Sequence, residues 1–386
     1  MMASSASNEK SVEPDGSSSA AIEGVKLKQE RHVPVLDHLR ALAALLVLAF
    51  HLFISFPHIP FFSSAESFAL LRQGYVGVSL FLTLSGFLFM WLVLKRGLPG
   101  SYLGYIQKRL LRVGPLLVIV YVLAVSINRD GFTPGDLGYL LITNIGKPPT
   151  SAQFATGTAW SISLELAFYI IFPLLARFVL EEGLGYLGRL ILLCLVFKLA
   201  AFGLAESGKL VMYSTLIGRM DQFLWGMAAA VIAFRSGLRV VYWRVGLVFA
   251  ISSLIVYGVW LERHAPYQSG VNEWAWVLIP TVEGVLFALL IICSFRSELV
   301  LWRWFDHSLS WIALISYSLF LLHPLAIELV RALIKRGTIQ LTDGVAAAMA
   351  AVLAILLAAL SYRTIEAPFM RLRLGRSAGS NLQPRG

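Results

Sequence analysis

The sequence predicts an all-α fold, a polytopic transmembrane helical bundle of about ten spans. Three observations predict it. Of 386 residues, 58% are apolar and only 14% charged, whereas about a quarter of a soluble domain is charged. The mean hydropathy is +0.74. The apolar residues also gather in runs of about 20, the length that crosses a hydrocarbon layer about 30 Å thick. These runs fall at 33–56, 74–94, 110–127, 159–180, 187–206, 210–234, 240–260, 275–295, 308–334 and 342–365.

Residues 1–30 are Ser-rich and polar without an apolar core segment, so they read as a disordered tail rather than a cleavable signal peptide. The first span then serves as its own insertion signal. Residues 31–372 form the membrane domain and 373–386 a second tail. Counting Lys and Arg over alternate connections gives about 20 on the side of the termini against about 8 on the other, which places both termini in the cytoplasm of a cell-membrane protein. Lys95, Arg96, Lys108, Arg109 and Arg112 contribute most clearly, and Arg331, Lys335 and Arg336 dissent. The longest connection, about 128–158, lies outside.

The formal charge of +10 invites a nucleic-acid reading, but the cations flank apolar runs, so membrane lipids and a phosphate-bearing ligand are the better partners. Neither a disulfide nor a metal site is expected, because Cys194 and Cys293 lie in apolar runs and no ligand spacing is present.

The first span holds Arg40 and His51, eleven residues apart. On a helix they share one stripe to within roughly 20° and stand about 16 Å apart, with Arg40 toward the cytoplasmic end. Ionisable groups inside a span are costly and usually face a functional interior. The arm of coenzyme A, from diphosphate to thioester, is about as long. Arg40 could therefore hold phosphate while His51 meets an acyl group. A snorkelling Arg40 and a hydrogen-bonded core histidine are the bland alternative.

In span two, Gly74, Gly77, Ser79, Ser85 and Gly86 suit close helix packing, and Ser85 is only a weak nucleophile candidate since the strand-turn-helix elbow is absent. Arg109 and Arg112 share a helical face and could close on a diphosphate or anchor to headgroups. Trp160 and Ser161 open span four, and Glu165 lies about 7 Å below Trp160 in the outer half, where it could orient His51. Arg219 and Asp221 are two apart, so each needs a partner on another helix. His323 precedes Pro324, a candidate kink. Arg363 and Glu366 are three apart and are expected to pair.

These segments together resemble the acyltransferase-3 family of membrane acyltransferases. The resemblance rests on Leu36-Asp37-x-Leu39-Arg40-Ala41 leading to His51, Gly77 to Phe87, Arg109-x-x-Arg112, Trp160 to Glu165, Arg219-Met-Asp221, Ser316 to His323, and Ser361 to Pro368, in family order over about 33–372. His38 departs from a glycine frequent there.

The resemblance implies that His51 is catalytic and Glu165 a site residue, with Arg40, Arg109 and Arg112 as acyl-CoA contacts. Asp37, Ser85, Trp160, Ser161, Arg219, Asp221, His323 and Arg363 would support them. It implies acetyl-CoA or another acyl-CoA as donor, no metal, a hydroxyl of a cell-surface or exported glycan as acceptor, and separate glycan-assembly proteins as partners. The competing readings are acylation of a small or lipid-linked hydroxyl compound, and a secondary transporter. A transporter should show internal repeats, and none is visible.

Overall fold

The computed structural model describes residues 33–59, 68–127, 158–205, 208–265, 267 and 274–371. The two expected tails and most of the long connection at 128–158 lie outside them. The described residues from Pro34 onward form one compact unit. Among the described residues there is no strand.

The helices are α1 (Pro34–Ser55), α2 (Gly77–Arg96, entered through a 3-10 turn at Gly74–Val76), α3 (Tyr102–Ile127), α4 (Trp160–Glu182), α5 (Leu184–Leu204), α6 (Gly208–Ser214), α7 (Leu216–Arg235), α8 (Val240–His264), α9 (Ala275–Arg296), α10 (Arg303–Lys335) and α11 (Asp343–Ser361). Each expected span coincides with a helix, although the sixth breaks at Thr215, whose hydroxyl caps α7 by accepting from the Gly218 N–H. Among the described residues eight helices are long and apolar enough to cross a membrane, which makes this a multi-pass membrane protein. Helices α3 and α7 are not among the eight. Helix α7 carries Arg219, Asp221 and Gln222, all buried, and packs against α2, α5 and α9 over most of its length.

Hydrophobicity alone does not drive helices together in lipid, so close packing and polar contacts must. Both occur here. A Cβ on Gly86 would stand 2.1 Å from the Phe223 carbonyl oxygen, and one on Gly226 1.9 Å from that of Thr83, so α2 and α7 touch backbone to backbone. Phe223 also stacks on Phe168 of α4, with centroids 4.1 Å apart. Arg219 and Glu283 of α9 form an ion pair at 3.0 Å, and Lys198 of α5 pairs with Asp221 at 2.7 Å, all four side chains fully buried. Arg219 and Asp221 thus each find the partner on another helix that their spacing demands.

Leu192, Val196 and Phe197 of α5 and Val245, Val248 and Phe249 of α8 are exposed, as suits lipid-facing surfaces. A single residue, Gly183, joins α4 to α5 at φ 74°, a left-handed conformation that favours glycine.

The expected Arg363–Glu366 pair does not form. Residues Tyr362–Glu366 make a π-helical turn, which widens the helix and takes positions three apart out of alignment. Glu366 is instead buried and accepts a hydrogen bond from Ser318 of α10, while Arg363 is exposed.

Candidate active site

Among the described residues, two cavities adjoin one another. The first, about 230 Å³, is lined by Arg40 of α1, Ser85 of α2, Arg109 and Arg112 of α3, and Ser161, Glu165 and Tyr169 of α4. Three guanidinium groups therefore face one carboxylate. Arg109 is held over the ring of Phe89, 4.0 Å from its centroid, and Arg40 leans on Asp37 at 3.4 Å. Aromatic and carboxylate contacts of this kind fix a planar guanidinium while leaving other N–H donors for an anion. Glu165 accepts from Ser85 at 3.0 Å and from the Tyr169 hydroxyl.

The second cavity, about 120 Å³, is lined by His51 with Tyr75, Thr158, Trp160, Tyr213 and Tyr267. His51 Nδ1 lies 2.9 Å from the Val47 carbonyl oxygen. A carbonyl only accepts, so Nδ1 carries a hydrogen, and in the neutral ring Nε2 keeps its lone pair. His323 makes the same bond to Leu319 at 3.0 Å, and its ring lies against that of His51. The hydroxyls of Tyr75 and Thr158 and His323 Nε2 are buried and have no hydrogen-bond partner among the described residues.

The sequence-selected residues are thus divided rather than gathered. Arg40 and His51 stay on one unbroken helix but face different cavities. Trp160 and Ser161, adjacent in α4, likewise line one each. Glu165 is brought to Ser85, Tyr169 and the arginines, and His51 is oriented by its own helix. His38 bonds Asp306 of α10 at 2.8 Å. Arg219 and Asp221 lie in the buried ion pairs described above, outside the lining of either cavity.

Sequence reasoning missed Lys198 and Glu283, each a lone charge in an apolar run, a signal that was open to reading. It also missed Tyr75, Thr158, Tyr213 and Tyr267. Ordinary interface aromatics and a loop hydroxyl, these carry no such mark.

The family model described as "Acyltransferase domain" (Acyl_transf_3) matches residues 33–363. Acyltransferase MdmB of Streptomyces mycarofaciens is 31% identical over 164 residues, which is 38% of this chain and 40% of that protein. The match therefore spans less than half the length of that relative. No solved structure matches the chain. The motif order, the all-helical membrane fold and a family match across most of the chain agree, and the chain belongs to the acyltransferase-3 family of membrane acyltransferases.

Proposed function

We propose that the protein moves an acyl group, acetyl above all, from cytoplasmic acyl-CoA to a hydroxyl of a cell-surface or exported glycan. The observation that carries the reading is the pair of adjoining cavities, one cationic and one holding a histidine with a free Nε2. Arg40, Arg109 and Arg112 suit the CoA diphosphate, which planar forks bind in two-pronged fashion. On the orientation favoured by the charge bias, they lie toward the cytoplasm, where both termini of this cell-membrane protein stand.

His51 Nε2 takes the acceptor's proton as its oxygen bonds to the thioester carbonyl carbon. The C–S bond breaks, and the proton passes to the departing thiolate, giving an ester and CoA. An acyl group carried transiently on His51 Nε2 would use the same atoms in two steps. Glu165 acts here through Ser85 and Tyr169, in the donor cavity. The aromatic rings around His51 suit the C–H faces of a sugar, and the Tyr75 and Thr158 hydroxyls suit its polar edge. Separate glycan-assembly proteins would supply the acceptor.

The test is release of CoA from labelled acetyl-CoA by the purified protein, followed by mass spectrometry of surface glycans from cells with and without the gene. A protein that neither binds nor cleaves acyl-CoA would end this reading. Glycans with unchanged acyl content would exclude the glycan acceptor while keeping the transferase.

A further inference from the structure

Two residues belong to both cavities, Val78 of α2 and Phe320 of α10. They are the wall between the arginines and His51. Phe320 is 7% exposed and meets Phe81 edge-on at 5.7 Å and His323 at 6.3 Å, so its ring abuts the histidine that rests on His51. Four residues on, Pro324 lies inside α10 and has no N–H to offer the Phe320 carbonyl. The dividing side chain is therefore rooted where α10 lacks a backbone bond, and such a turn is where helices bend.

We propose that Phe320, together with Val78, sets the length of acyl chain that can pass from the donor cavity to His51. The proposal rests on the acyl-CoA reading above. With the diphosphate at the arginines, the thioester is the end that advances to the wall. Its carbonyl carbon must come within reach of an oxygen activated at His51 Nε2, so whatever follows the carbonyl lies against Val78 and Phe320. A methyl group asks for little room. Each further methylene must displace a ring in a close-packed interior, and a single methylene in an apolar pocket already discriminates by roughly 10- to 200-fold.

The experiment uses the purified full chain with acetyl-, butyryl- and hexanoyl-CoA and water as acceptor. Water's oxygen bonds to the carbonyl carbon, the C–S bond breaks, and carboxylic acid and CoA thiol are released. The thiol is measured. The parent is expected to favour acetyl-CoA. Phe320→Ala should raise the hexanoyl-to-acetyl ratio of kcat/KM at least about tenfold. Val78→Ala should move it the same way by less, and Phe320→Trp should lower the butyryl-to-acetyl ratio. Phe320→Leu carries the alanine expectation should that variant fail to fold.

Ratios unchanged in variants that still cleave acetyl-CoA would overturn the proposal and leave the acyl-CoA reading standing. A parent that neither binds nor cleaves any of the three thioesters would overturn both.

Discussion

The imidazole rings of His51 and His323 stand 4.7 Å apart, tilted by 57°. Both Nδ1 atoms are committed to carbonyls one turn back on their own helices, so both rings are fixed in the same tautomer. A histidine whose Nδ1 is already bonded needs no carboxylate to aim it. His51→Ala is therefore expected to cost acyl transfer about a hundred- to ten-thousandfold while the protein still inserts, because general-base loss is of that size. His323→Ala removes the ring packed against His51 and should lower turnover, by less than His51→Ala does, with CoA affinity unchanged. Acetyl-CoA turnover and equilibrium CoA binding, measured side by side, check both. Activity within a few-fold of the parent in His51→Ala would make that residue structural.

Arg40→Lys keeps the charge but replaces a planar fork with a point donor, so it should weaken CoA binding, as should Arg109→Ala and Arg112→Ala. Each loss should shrink as salt is raised, since screening already weakens the parent's hold on phosphate. Isothermal titration with CoA at two ionic strengths reads this directly. Equal affinities in all three variants would leave the arginines as anchors for lipid headgroups.

Glu165 shares its cavity with the arginines and is bonded by Ser85 and Tyr169. In Glu165→Gln the amide oxygen can still accept both bonds, but the cavity gains one unit of positive charge. CoA should bind at least as tightly as in the parent, with a steeper salt dependence. Paired with His323→Ala, its effect on turnover should multiply, as separate sites do. A strong non-additive coupling would instead tie the carboxylate to the histidine pair.

The buried pairs allow a stability test. Lys198→Met leaves Asp221 without its cation and should cost about 3–5 kcal/mol, whereas Lys198→Met with Asp221→Leu should recover most of the loss, since a buried ion pair can be replaced by apolar groups at little cost. Thermal unfolding in detergent compares the two. A double variant no better than the single would show that Thr281, which bonds both charged groups, matters more than the pair itself.

Reporter fusions after Gly100 and Arg239 should report the cytoplasm, and fusions near residues 140 and 268, which lie outside the described residues, the opposite side. Reversal at either pair would break the orientation on which the donor and acceptor sides are assigned.

The order of the long helices was legible because apolar run length is set by bilayer thickness, a constraint that most runs meet alone; α3 and α7 do not meet it, and the break of the sixth run at Thr215 was not foreseen. The Arg40-to-His51 spacing was legible for the same kind of reason, since an unbroken helix fixes it. Contacts between helices were not. Nothing local says that Glu165 will meet Ser85, 80 residues away, rather than His51, or that Trp160 and Ser161 will face different spaces. The Arg363–Glu366 expectation failed because a π turn is a tertiary accommodation that residue spacing does not announce. Arg219 and Asp221 were read correctly as needing distant partners, but the partners themselves, Glu283 and Lys198, emerge only once α5, α7 and α9 are packed.

Lys198 also bears on how the chain is made. Its helix exposes apolar side chains suited to lipid, yet it carries an ammonium group whose carboxylate partner lies 23 residues further along, on α7. A lone lysine at the centre of a membrane helix costs the insertion machinery roughly 2.5–3.5 kcal/mol. During synthesis α5 therefore has reason to linger beside the translocon until α7 has been made, and the two should enter the bilayer as a pair. A nascent chain ended between them would leave α5 poorly integrated, although by composition it is among the eight helices able to cross by themselves.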